Sequence, residues 1–140
     1  HKMRRILIVD DEPKIRQEFK KTLWPVSQEW NIEFAASAKE ALKTMSQSSY
    51  DVIVSDMQMP EMDGAELLGI VMERHPETVR IILSDHSDNE TVLRSVKSAH
   101  QFLMKPCDAD TMKHTIVRTC KLQDLLRNKE LKKVIQIING

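Results

Sequence analysis

Apolar positions along the chain follow two alternating rhythms. Short runs dense in apolar residues occur at Arg4 to Val9 (R-R-I-L-I-V), Val52 to Val54, Val79 to Leu83 (V-R-I-I-L) and Gln101 to Met104, with a weaker one at Asn31 to Ala35. Runs this short, rich in β-branched residues, fit strands buried on both faces. Between them apolar residues recur at three- and four-residue steps, the period of a helix with one inward face. The first helix runs from Pro13 to about Leu23 with Ile15, Phe19 and Leu23 inward, and Trp24-Pro25 stops it. Pro13 suits a first helical turn, where its missing N–H costs nothing. Ser37 with Glu40 three residues on reads as a capping box before a helix burying Ala41, Leu42 and Met45. Ala65 to about Arg74 is the third helix, closed by His75-Pro76. Ser87 or Asp88 caps a short fourth helix, expected to turn Val92, Leu93 and Val96 inward. Asp108 or Asp110 caps the last, which runs to the end of the chain.

Five strand–helix alternations call for right-handed crossovers and a parallel sheet covered on both faces. The fold class is α/β, a doubly wound, flavodoxin-like five-stranded sheet of order 2-1-3-4-5 with an extended C-terminal helix. In such sheets chemistry collects beyond the carboxyl ends of the strands. Those ends carry Asp10 and Asp11, then Asp56, then Ser84, then Lys105. Asp56 closes the central strand ahead of M-Q-M-P-E-M-D-G, a stretch whose Pro60 and Gly64 mark a loop. Lys105-Pro106 is expected to be a cis peptide in a tight turn aiming Lys105 back into the crevice.

Composition narrows the function. The 140 residues suit one domain with a real core. Lys and Arg number 21, matched by 21 Asp and Glu, so a general electrostatic affinity for nucleic acid or anionic membrane is not expected. No apolar stretch approaches the ~20 residues that span a bilayer. No signal peptide is visible, and His1 and Lys2 ahead of Met3 read as a cloning remnant. Cys107 and Cys120 form no CxxC pair or metal cluster, which suits a reduced, cytoplasmic setting.

Taken together and in order, I-V-D-D-E, S-D-M-Q-M-P-E-M-D-G, I-I-L-S and F-L-M-K-P resemble the receiver domain of two-component response regulators over roughly Met3 to Leu126. The resemblance implies that Asp56 is the phosphorylated residue. Asp11 would bind Mg²⁺ directly, Asp10 largely through water, and Asp56 and the Gln58 backbone carbonyl would complete the protein ligands. Lys105 would pair with Asp56 and then with a phosphoryl oxygen, while Ser84 would donate its hydroxyl to another. Ser84 and Phe102 stand at the family's switch positions, on a bistable face made by helix four, strand five and helix five. The phosphodonor would be a histidine kinase or phosphotransfer protein, with small phosphodonors able to substitute. Such a domain is no enzyme in the ordinary sense; it catalyses only its own phosphorylation and dephosphorylation. The residue after the strand-four hydroxyl is usually small in this family. Here it is Asp85, followed by His86, and with Gln58 these stand where they would tune rates.

Residues 1–126 thus form the receiver, and 127–140 a helical extension toward an output domain. A-H-Q-F-L-M-K-P-C-D with the following K-L-Q-D-L-L resembles receivers fused to C-terminal HDOD or HD-GYP domains. Ile116, Val117, Cys120 and Leu122 would dock on the sheet. Leu125, Leu126, Leu131, Val134, Ile135 and Ile138 would form a stripe, interrupted by charges from Arg127 to Lys133, that buries on a second copy or on the output domain. A homodimer with a flexible joint near Arg127 to Glu130 is expected. Two other readings stand beside this one. A stand-alone receiver acting as a phosphate sink or docking module would lack the long tail. A Mg²⁺-dependent phosphotransferase or phosphatase would need a cap over its substrate, for which the chain has no room.

Overall fold

A computed structural model describes residues 3–85 and 87–139. Five strands, β1 (Arg4–Val9), β2 (Trp30–Ala35), β3 (Val52–Asp56), β4 (Val79–Ser84) and β5 (Gln101–Met104), form one sheet of order β2-β1-β3-β4-β5. Every neighbouring pair is parallel, as the alternation required. The helices are α1 (Pro13–Thr22), α2 (Ala38–Gln47), α3 (Gly64–Arg74), α4 (Asn89–Ser95) and α5 (Ala109–Asn139). A single 3-10 turn, Trp24–Val26, follows α1 at the expected stop.

Because strand side chains alternate between faces, each central strand feeds two cores. Ile6 and Ile8 of β1, Val52 and Val54 of β3, and Ile81 and Leu83 of β4 meet Phe19 and Leu23 from the α1 side and Met112, Ile116 and Cys120 of α5. Leu7, Val9, Ile53 and Ile82 point the other way, onto Ala41 and Met45 of α2 and Leu67, Leu68 and Val71 of α3. At the head of α2 the Ser37 hydroxyl accepts from the Glu40 N–H at 3.0 Å. The Glu40 carboxylate reaches back to the Ala36 N–H, one residue earlier than in a standard capping box. Asp108, not Asp110, caps α5 by accepting from the Thr111 N–H at 2.7 Å.

Two packing expectations need correction. In α4, Leu93 and Val96 face solvent, 74% and 56% exposed. Only Val92 packs against the second core, and the other inward positions carry small polar residues, Ser95 and Ser98. The i, i+3 register therefore runs through serines, and the apolar residues one position away fall outside. Leu122 is likewise exposed, while Ile116 and Cys120 are buried and Val117 packs at the edge of the core. As expected of one long last helix, α5 runs unbroken through residues 127–130. Arg127 lies there on the surface, 3.8 Å from Glu77 and 3.5 Å from Asp124. Leu122, Leu125, Leu126, Leu131 and Ile135 border one open groove along the extension, so the expected stripe carries on past the charged stretch.

Candidate functional site

The crevice forms where β1, β3 and β5 end. Asp56 closes β3 and Asp10 follows β1, each almost entirely buried, with Asp11 half-buried beside them. One carboxylate oxygen from each of Asp10, Asp11 and Asp56 lies within 4.8 Å of the others. The main chain fixes their placement. The Asp10 N–H donates to the Ala35 carbonyl at 3.1 Å, and the Met57 N–H to the Leu83 carbonyl at 3.0 Å. Asp10 Oδ1 accepts from the Glu12 N–H at 2.9 Å, and the Asp10 carbonyl from Arg16 at 2.8 Å.

Gly64 lets the next helix start close to this point. A Cβ there would run into the Asp56 carbonyl oxygen, so α3 can begin under the end of β3 only with glycine. Asp63 caps that helix by accepting from the Glu66 N–H at 2.9 Å. The loop between them holds a tight γ-turn: the Met62 N–H donates to the Pro60 carbonyl at 2.8 Å, with Glu61 at φ 68°.

Lys105 enters from the edge strand. The Lys105–Pro106 peptide is cis, as expected, and the Lys105 N–H donates to the Ser84 carbonyl at 2.8 Å. Its ammonium lies 2.5 Å from Asp56 Oδ1 and 3.7 Å from Asp10 Oδ2. Burial pushes the Asp56 carboxyl up to about 6; Lys105 pulls against this, while Asp10 and Asp11 add to it. For Lys105, burial pulls downward, and the hydrogen bond and charge of Asp56, with Asp10 and Asp85, more than offset it, leaving the ammonium firmly protonated.

Asp10 Oδ2 is buried with no hydrogen-bond partner. Three crowded carboxylates, one with an orphaned oxygen, against a single ammonium leave a deficit of positive charge. Hard oxygen donors in this number suit Mg²⁺ or a similar dication.

The remaining residues sit around this centre. Ser84 is buried at the end of β4, its hydroxyl directed at Met104 Sδ, 4.0 Å away, and not at Asp56. Phe102 is half-buried against the second core. The exposed Asp85 turns its carboxylate onto the backbone N–H and hydroxyl of Ser87, at 2.8 and 2.5 Å. On the far side of Lys105 it borders a groove of about 370 Å³ lined by Ile15, Phe19, Pro106 and Cys107. His86 lies outside the described residues. The Gln58 side chain donates to Asp88 Oδ1 at 2.9 Å, a contact the sequence reading missed because both residues sit in loops without periodicity.

Comparison with known proteins agrees with this geometry. The family profile of the response regulator receiver domain matches residues 6–117. The hydrogenase transcriptional regulatory protein HoxA of Cupriavidus necator is 33% identical over 122 residues, covering 86% of this chain and 25% of that protein. A receiver domain protein from Clostridium thermocellum superposes with a TM-score of 0.79 at 29% identity, over 89% of this chain and 99% of that one. The signal receiver domain of an HD domain-containing protein from Pseudomonas fluorescens does so at 0.82 and 25% identity, over 91% and 94%. The chain spans about a quarter of the length of the curated relatives it matches.

Proposed function

The chain belongs to the response regulator receiver domain family, and from that premise we propose that it takes a phosphoryl group onto Asp56 and passes the change to an output domain. The observation that carries this reading is the Lys105 ammonium 2.5 Å from Asp56 Oδ1, inside a cluster that also holds Asp10 and Asp11. A phosphohistidine of a histidine kinase or phosphotransfer protein is the donor. The Asp56 carboxylate attacks phosphorus, an O–P bond forms as the N–P bond breaks, and the leaving imidazole takes up a proton. Water later cleaves the acyl phosphate, returning the carboxylate and inorganic phosphate. Lys105 neutralises a phosphoryl oxygen, and Ser84 donates its hydroxyl to another after turning from Met104. Positioning and charge neutralisation are most of what phosphoryl transfer asks of a protein.

Asp10, Asp11, Asp56 and the Gln58 carbonyl are the residues that would hold Mg²⁺, which when bound supplies positive charge at the transferred group. The chain's own residues exclude bulk water from Asp56 and keep Lys105 charged. The phosphoryl group adds close to two negative charges. Ser84 and Phe102 then move, and the face made by α4, β5 and α5 changes. In this reading residues 1–126 are the receiver and 127–140 lead to the output domain. The setting is cytoplasmic, and the protein turns over no substrate beyond its own acyl phosphate. Among the described residues no helix is long and apolar enough to cross a membrane. The regulator pairs as a homodimer through the α5 extension.

Intact-mass measurement with acetyl phosphate and Mg²⁺ tests the central step. One added phosphoryl mass is expected in the wild type and none in Asp56→Asn. An unchanged gain in the variant would overturn the assignment.

A further inference from the structure

We propose that Asp88 is a positioning residue for phosphoryl acceptance, joining through Gln58 the loop beyond Asp56 to the turn beyond Ser84. Asp88 stands at the N-cap position of α4 and is 2% exposed, yet its side chain caps no N–H of that helix. An N-cap aspartate ordinarily stabilises its helix through such a bond. Here both carboxylate oxygens are used elsewhere: Oδ1 accepts from Gln58 Nε2 at 2.9 Å, and Oδ2 from the Asp85 N–H at 2.8 Å. Gln58 Nε2 also lies 3.4 Å from Thr91 Oγ1, on the first turn of α4. Among the described residues no cation pairs with Asp88, so two donors carry a buried charge. Buried carboxylates held this way make strong, geometrically exacting bonds.

The bond matters because α4 packs on α3 with little apolar area of its own. Leu93 and Val96 face solvent and the inward Ser95 and Ser98 offer little apolar area. A second tie, Arg94 to Asp63 at 2.6 Å, is a surface ion pair of small worth. The Gln58–Asp88 bond thus sets where the 85–88 turn sits against the 57–63 loop. Ser84 opens the first of these segments and Asp56 the second. Both groups must meet one phosphoryl oxyanion; the β3–β4 ladder sets their separation, and the tie holds the two loops that close around it.

The inference rests on the function proposed above, and its test separates the two. Hydrogen–deuterium exchange of the unphosphorylated protein needs no phosphodonor. Gln58→Leu breaks the tie and is expected to speed exchange of amides 85–92 roughly tenfold, with β1 and β3 unchanged. Asp88→Asn keeps it once the Gln58 carboxamide turns over to accept from the new amide, so exchange stays near wild type. With acetyl phosphate the initial rate should fall roughly tenfold in Gln58→Leu and recover most of its value in Asp88→Asn. Unaltered exchange or an unaltered phosphorylation rate in Gln58→Leu, or equal damage from both variants, overturns the proposal. A wild type that gains no phosphoryl mass overturns the functional reading alone, since the exchange result still decides whether the tie exists.

Discussion

Lys105 reaches Asp56 across the full width of an intervening strand. Its parent strand β5 pairs only with β4, which separates it from β3, yet Nζ stands 2.5 Å from Oδ1. Burial makes Asp56 harder to ionise than a free aspartate; Lys105 works against this, and Asp10 and Asp11 add a little to it. That cost appears in how stability depends on pH.

Asp56 and His100 oppose each other in the same pH window. Burial, with the neighbouring Asp10 and Asp11, raises Asp56 from 3.8 to about 6, so the folded state holds more protons than the unfolded one between those values. Its contribution is present below the lower value and is lost as pH rises toward the higher one. His100 accepts the Arg80 N–H on Nδ1 at 2.9 Å. Burial and the Arg80 charge lower it from 6.5 to about 4, so the folded state holds fewer protons there and its contribution is lost as pH falls. The two slopes offset one another in the wild type. With metal chelated, Asp56→Asn should gain stability relative to wild type between about pH 4 and pH 7, on the order of 2 kcal/mol. Denaturant titrations at several pH values check this, and a pH-independent difference would contradict it.

Asp11 and Asp10 should differ as metal ligands. Asp11→Ala is expected to weaken Mg²⁺ binding at least about tenfold, with Asp10→Ala doing less damage. Calorimetry or tryptophan fluorescence gives the affinities, and equal values for wild type and Asp11→Ala would rule the assignment out.

Glu61 carries backbone strain. At φ 68° its Cβ is crowded in the γ-turn of the 57–63 loop, a conformation that costs on the order of 1 kcal/mol or more for a non-glycine residue. Glu61→Gly should stabilise the fold by up to about 1 kcal/mol, after allowing for the greater freedom of glycine in the unfolded chain. Thermal unfolding measures it, and a clear loss of stability would show that the Glu61 side chain has a supporting role.

The extension should bring two copies together. Leu131, Val134, Ile135 and Ile138 lie at i, i+3, i+4 and i+7 on one side of α5, between 48% and 75% exposed. Burying several such side chains, at roughly 1.5 kcal/mol or more each, offsets the cost of association. Sedimentation at micromolar concentration should show a dimer that becomes monomeric when residues 127–140 are deleted. A monomer whose mass and thermal stability do not respond to the deletion would sink the idea.

The sheet order and the crevice were legible in the sequence because buried parallel strands are runs of apolar residues, and the runs of β1, β3, β4 and β5 each lead into a polar side chain. Asp10, Asp11, Asp56, Ser84 and Lys105 came together for that reason. The face of α4 was not legible: its inward register holds serines, so hydrophobicity pointed to Leu93 and Val96 instead. The Asp63 cap could have been read from Asp63 and Glu66 at capping spacing. The Gln58–Asp88 bond could not, since it joins loops thirty residues apart whose approach depends on the finished sheet. The apolar steps of α5 were readable because the helix is continuous and keeps Leu125, Leu131 and Ile135 along one groove.

An uninterrupted α5 acts as a lever. Its 31 residues extend about 1.5 Å each, roughly 46 Å in all. The part beyond Arg127, about 18 Å, projects past an exposed ion pair with Glu77. A tilt of about 5° at the sheet end would move the far tip by more than 1 Å and rotate whatever it carries by the full angle. Length alone thus turns a small change of angle at the sheet into a tip displacement larger than the side-chain shift that starts it.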